Sequence, residues 1–187
     1  AYVEFLRAQG LTIVNAKPEK ETPAEESTRL TVEAMRAGVD VIVQARLAER
    51  DLAGYADVLR RVERPSHLGA WSYEAQDTKL ARETKGGTIL QLSAYSAMLT
   101  DMQGVAPESF QVVTPIAHES YRVEDFAAYY RMVLKAMREE LVKGHEQLRG
   151  EYYPEPVDAC QVCAWAVACE KRRRADGDEN TRMTRWL

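Results

Sequence analysis

Cysteine is scarce in this chain of 187 residues: there are three, all between positions 160 and 169. An odd number of thiols in a chain expected to sit in a reducing compartment excludes a disulfide framework. No apolar run approaches the roughly 20 residues needed to cross a bilayer. The N-terminus lacks the basic, apolar and small-residue zones of a secretory signal. A cytoplasmic protein with no membrane partner is therefore expected. The chain opens at Ala1 and enters helix-forming sequence almost at once, as expected of a fragment missing its upstream part. A net charge of −4 excludes a uniformly basic coat for nucleic acid but leaves room for a local basic groove. What is present is ordinary for a globular domain: 45% hydrophobic residues, enough for a sizeable core.

Tyr2 to Gln9 predicts a short helix stopped by Gly10, and Leu11 to Val14 a brief strand. Thr22-Pro23-Ala24-Glu25 predicts a helix start, with Thr22 capping, Pro23 in the first helical position and Glu25 closing a capping box. That helix is expected to reach Ala37 and stop at Gly38. Val39 to Ala45, Leu52 to Val62 and Trp71 to Ala81 read as three strands, joined by connections short enough for an antiparallel meander. Gly86-Gly87 reads as a break. Helical spacing follows over Thr88 to Met102, then two strands, Phe110 to Thr114 and Ala117 to Val123. Val123, Phe126, Tyr130, Leu134, Met137 and Leu141 mark a long amphipathic helix ending near Gly144. The expected fold is α/β, a central mixed sheet flanked by helices over residues 1–150. A C-terminal tail, 151–187, carries the cysteines and a basic run and packs on that core.

Two strings carry chemistry: Gly54-Tyr55-Ala56-Asp57 and Asp77-Thr78-Lys79. Residues two apart on a strand share a face, so Asp77 and Lys79 project together. If their strands pair, Asp57 lies beside Asp77. Two carboxylates suit Mg²⁺ or Mn²⁺, hard cations that also take water and substrate phosphate. Lys79 is placed to orient the attacking water, to neutralise phosphate charge, or, with its pKa pushed down, to transfer a proton. Asp57 stands among Tyr55, Ala56, Val58 and Leu59, where an acid calls for a compensating partner. Gln91 and Tyr95 share one helix face. They are ordinary helix residues or substrate contacts. Solvated strand faces carry Asp-x-Lys pairs everywhere, so the combination has meaning and the single string does not.

The ordered set Gly54-Tyr55-Ala56-Asp57, Tyr73-Glu74-Ala75-Gln76-Asp77-Thr78-Lys79 and Gln91-Leu92-Ser93-Ala94-Tyr95 resembles the RecB-like branch of the PD-(D/E)xK nuclease superfamily. Cys160-x-x-Cys163 with Cys169 after it is similar to the spacing in CRISPR-associated and helicase-linked members, where four cysteines hold a [4Fe–4S] cluster. The resemblance implies a restriction-endonuclease-like core and Mg²⁺- or Mn²⁺-dependent hydrolysis of single- or double-stranded DNA, as an exonuclease rather than an endonuclease. It implies Asp57 and Asp77 as metal ligands, Lys79 as the catalytic lysine, and Gln91 and Tyr95 as substrate-placing residues. A helicase or a CRISPR-associated protein is the implied partner. Members of this group place an acid or histidine on the helix before the sheet. Residues 22–37 contain no histidine, so Glu26, or alternatively Glu33, takes that place, unless both are solvated helix acids.

No cysteine precedes Cys160, so the chain alone cannot complete a four-cysteine site. Iron–sulfur, zinc with His145 as a further donor, and plain thiols all remain open. Trp165 and Val167 are expected to pack rather than bind bases. Lys171-Arg172-Arg173-Arg174 reads as a solvated helix face or as phosphate contacts. His67 and His118 are expected to have no catalytic task. Beside the nuclease stand two alternatives: a non-catalytic DNA- or protein-binding module with a decayed site, and a zinc-dependent adaptor.

Overall fold

Six strands form one sheet in sequential order, β1 (Ile13–Asn15), β2 (Val41–Glu49), β3 (Leu52–Val62), β4 (Ser72–Thr78), β5 (Ser109–Val113) and β6 (His118–Arg122). The computed structural model describes residues 2–80, 84–144 and 152–177. The sheet is mixed: β2, β3 and β4 form the expected antiparallel meander, while β1 runs parallel to β2 and β5 parallel to β4. A parallel neighbour requires a crossover. α2 (Ala24–Arg36) supplies it between β1 and β2, and α3 (Gly86–Gln103) between β4 and β5. The fold is thus α/β, an open mixed sheet flanked by helices.

One face of the sheet carries the larger core, where Ala34 and Met35 of α2 and Leu92, Tyr95, Met98 and Leu99 of α3 meet Ile42, Leu47, Leu59, Tyr73 and Ala75. The other face is covered near β2 and β3 by α1 (Tyr2–Ala8), through Leu6 against Val41 and Val58. Covered on both sides, β4 is buried from Ser72 to Asp77, which explains its lack of clean alternation. Phe110, Tyr121 and Phe126, the last on α4 (Val123–Leu141), cluster with ring centroids 5.8–6.0 Å apart, Phe110 stacked on Tyr121 and Phe126 edge-on to Tyr121.

Several local expectations change. Thr22 does not cap α2; its hydroxyl donates to Glu19 O and accepts from Glu19 N, closing the preceding turn, and Pro23 takes the cap position with no side-chain cap bond. At the other end Gly38, with φ of 69°, stops the helix as expected. β2 runs four residues past Ala45, to Glu49. Gly86-Gly87 opens α3 instead of breaking the chain. β4 ends at Thr78, with Lys79 just beyond it, and Ala81 lies outside the described residues. So do His145 and, within the expected tail, residues 151 and 178–187.

The chain divides into two compact units, Ala1–Leu134 and Lys135–Leu187. The described part of the second unit holds a 3-10 turn (Asp158–Val162) and the helix α5 (Ala166–Ala175). Among the described residues no helix is long and apolar enough to cross a membrane.

Candidate active site

β2 and β3 keep a constant register on either side of one unpaired position, where Gln44 faces Asp57. Gln44 has φ of 51°, a left-handed conformation that costs about 1–3 kcal/mol in a non-glycine residue. The crease turns both strands over. Before it Ile42 faces the larger core and Val41 and Val43 the α1 side; after it Ala45 and Leu47 face the larger core. On β3, Ala56 and Leu59 both reach the larger core, although they stand three apart. Sequence patterning gave no signal of this except the polar residues themselves.

β3 and β4 pair from Val62–Ser72 to Val58–Gln76. The next step along that register sets Asp57 opposite Asp77, where the ladder stops. In place of backbone pairing, Asp57 Oδ2 accepts hydrogen bonds from the Thr78 amide at 2.9 Å and the Thr78 hydroxyl at 2.7 Å. Its other oxygen has only a long contact, 3.5 Å, from Gln44 Nε2. Thr78 and Gln44 are thus parts of the site to which sequence reasoning assigned no role. Gln44 is 13 residues from Asp57 and Thr78 is 21, so only the strand pairing brings them near.

Asp77 is 2% exposed. Its Oδ2 lies 2.9 Å from Lys79 Nζ, a charge contact that lacks hydrogen-bond alignment, so this buried oxygen has no hydrogen bond among the described residues. Burial raises the Asp77 pKa; the Lys79 ammonium opposes the shift, and the nearby Asp57 carboxylate adds to it. Lys79 moves in the direction opposite to a proton-transfer lysine. Its pKa is raised, chiefly by Asp77, and Asp57 acts in the same sense. Proximity to two anions favours the ammonium, so in the metal-free protein Lys79 is held charged; the downward shift is expected only beside a bound cation.

Tyr95 closes one side. Its hydroxyl donates to Tyr55 O at 2.9 Å and accepts from Gln91 Nε2 at 3.0 Å. Burial raises its pKa, with the charges of Asp57 and Asp77 adding to the effect. Gly54 makes this approach possible: a Cβ there would lie 2.7 Å from Tyr95 Cε1 and 3.1 Å from its oxygen. Lys17 lies over the Tyr55 ring at 4.6 Å. The structure therefore brings together Asp57, Asp77, Lys79 and Tyr95, with Gln91 bound to Tyr95.

It does not bring in the helix acid. Glu26 and Glu33 are both paired to Arg29 at 2.6 Å on the outer face of α2. Three-residue and four-residue spacing within one helix satisfies them locally, so the third metal ligand expected of Glu26 or Glu33 is not assembled. Among the described residues no group of three or more His, Cys, Asp or Glu side chains is fit to hold a metal. The donor set that does exist suits a hard divalent cation taking most of its ligands from water or phosphate: two adjacent carboxylates, one buried oxygen without a hydrogen bond, and mutual repulsion.

Nor do the cysteines form a group fit to hold a metal among the described residues. Cys160, Cys163 and Cys169 are free thiols, Cys163 is exposed, and Cys160 Sγ accepts from Val157 N at 3.4 Å within its own turn. In the basic run Arg173 is 6% exposed and donates to Pro154 O at 2.5 Å, so it braces the unit rather than facing solvent. Lys171, Arg172 and Arg174 are exposed, and Arg174 pairs with Glu170. No family model matches this chain, and no curated protein matches it.

Proposed function

We propose that the chain is a metal-dependent DNA nuclease on a restriction-endonuclease-like core, hydrolysing phosphodiester bonds with an activated water. The observation that carries this reading is Asp77, a buried carboxylate with one oxygen lacking a hydrogen bond, set beside Asp57 and Lys79. Burying like charges together is costly, and a purely structural acid would be expected to have its oxygens satisfied. Asp57 and Asp77 would hold Mg²⁺ or Mn²⁺. Bound there, the cation lowers the pKa of a water and stabilises charge developing on the phosphate.

The protein's own groups divide the remaining work. Thr78 pins one oxygen of Asp57 and leaves the other lightly held. Lys79, kept as an ammonium, neutralises phosphate charge and orients the water by donating hydrogen bonds. Tyr95 ties α3 to the Tyr55 carbonyl and so fixes β3 two residues before Asp57. Gln91, exposed at the start of this face, is available to the nucleic-acid backbone.

The test is cleavage of end-labelled single- and double-stranded DNA with Mg²⁺ or Mn²⁺. Asp77→Ala and Lys79→Ala are each expected to lower the rate at least about 100-fold, the usual cost of losing one preorganised charge at a reacting centre. Cleavage that survives both substitutions overturns the assignment. The pairing of Glu26 and Glu33 with Arg29 favours a second reading, a binding module with a decayed site. Calorimetric titration with Mn²⁺ separates the two, since a decayed site binds no metal.

A further inference from the structure

The second unit contains a cleft of about 830 Å³ lined by Tyr152, Tyr153, Pro154, Trp165, Ala168, Cys169 and Arg172. That volume falls within the roughly 300–1,000 Å³ of small-ligand pockets. Three of the seven residues are aromatic and expose part of their surface: Trp165 is 73% exposed, Tyr152 56% and Tyr153 38%. Trp165 therefore does not pack as the sequence led us to expect. Leaving that much aromatic surface in solvent forgoes burial worth about 25 cal/mol per Å².

Charge narrows what the cleft accepts. Arg172, the charged residue of the lining, carries its guanidinium 5.9 Å above the Tyr153 ring. Lys171 is its exposed neighbour in sequence on α5, Asp176 lies 3.9 Å from the guanidinium, and Arg174 is paired with Glu170. Arg173 is turned inward to the Pro154 carbonyl, which holds the Tyr152–Pro154 segment against α5 and sets the cleft wall. Flat apolar faces next to cations match a chain of bases on a phosphate backbone. A duplex hides its base faces in its own stack, so only a single strand can use them.

We propose that this cleft binds single-stranded DNA, with bases stacked on Trp165 and Tyr152 and a phosphate at Arg172. The proposal extends the nuclease reading by naming the form of DNA held. Its test is run without divalent metal, so the two readings fail separately. The measurement is fluorescence anisotropy of a labelled dT₁₂ oligomer against the full chain in EDTA, with a blunt duplex of equal length and a rU₁₂ oligomer alongside. The single DNA strand is expected to bind tightest. Trp165→Ala is expected to weaken it about tenfold, with Trp165→Phe restoring most of the loss and Tyr152→Ala weakening it less. Circular dichroism checks that each variant keeps its helix content. Unchanged dT₁₂ affinity in both alanine variants overturns the proposal. So does a duplex or a ribo-oligomer that binds as tightly as dT₁₂.

Discussion

Strand β4 carries two buried acids three residues apart, Glu74 and Asp77, and their surroundings could hardly differ more. Glu74, 8% exposed, accepts from the amides of Glu108 and Ser109 and from the Ser109 hydroxyl, so both of its oxygens are satisfied. Asp77, 2% exposed, has an oxygen with no hydrogen bond and relies on the charge of Lys79. Three residues along a strand also place them on opposite faces. Glu74 ties the start of β5 to β4 and is spent on structure. Asp77 is held by the Lys79 charge without a hydrogen bond to its Oδ2, an arrangement that a competing cation can enter.

The largest effect that breaks this pairing is expected from Glu74→Ala. Removing the acceptor strands two amides and a hydroxyl, at a cost of about 2–4 kcal/mol. Urea unfolding reads this as a lower midpoint with unchanged slope, and Mn²⁺ affinity should be the same as in the parent. A smaller effect is expected at the edge of the acidic pair. Gly54→Ala drives a methyl into the Tyr95 ring, costing about 1–3 kcal/mol as overpacking does, and displaces the Tyr95 hydroxyl from Tyr55 O. Unlike Glu74→Ala, it should lower cleavage more than stability; equal activity at matched stability would remove Tyr95 from the site.

The smallest effect is one of pH. Asp77 has a raised pKa in the fold, so the folded state binds its proton more tightly than the unfolded chain. Its contribution favours the fold below the ordinary carboxylate value near 3.9 and is lost as pH rises through the raised value. The melting temperature of Asp77→Asn relative to the parent should therefore climb between about pH 4 and pH 7 in EDTA, by a few degrees at most. A flat difference over that window means Asp77 is not destabilised by its ionisation. Glu74→Gln supplies the contrast, since a neutral amide there places an N–H donor among donors and should lower the melting temperature across the whole range.

Much of the sheet was legible. β3 spans Leu52–Val62 as its composition predicts, and helical spacing located α3 and α4 to within a few residues. Asp57, Asp77 and Lys79 were legible as a set because Asp77 and Lys79 stand two apart at the end of β4 and Asp57 stands on the neighbouring strand. What was not legible has a physical reason in each case. Thr22 had two turns to choose between and closed the earlier one. Gly86-Gly87 can start a helix as readily as interrupt a chain, since glycine tolerates both. The direction of the Lys79 shift depends on which charges surround it, and only the fold places both aspartates within reach. The third ligand failed because Arg29 satisfies Glu26 and Glu33 within one helix, an outcome their spacing allowed but did not demand. Exposure of Trp165 is a property of tertiary packing that no local pattern encodes.

The crease at Gln44 has an implication for how this protein tolerates change. An unbroken strand would have to choose between sending Ala56 inward and aiming the next side chain at Asp77; the half-turn opposite Gln44 grants both. Alignment of the acidic pair is therefore guarded by a residue that carries no charge of its own. A swap there to a stiff, branched side chain would rotate a carboxylate out of aim while every chemically active group stayed in the sequence.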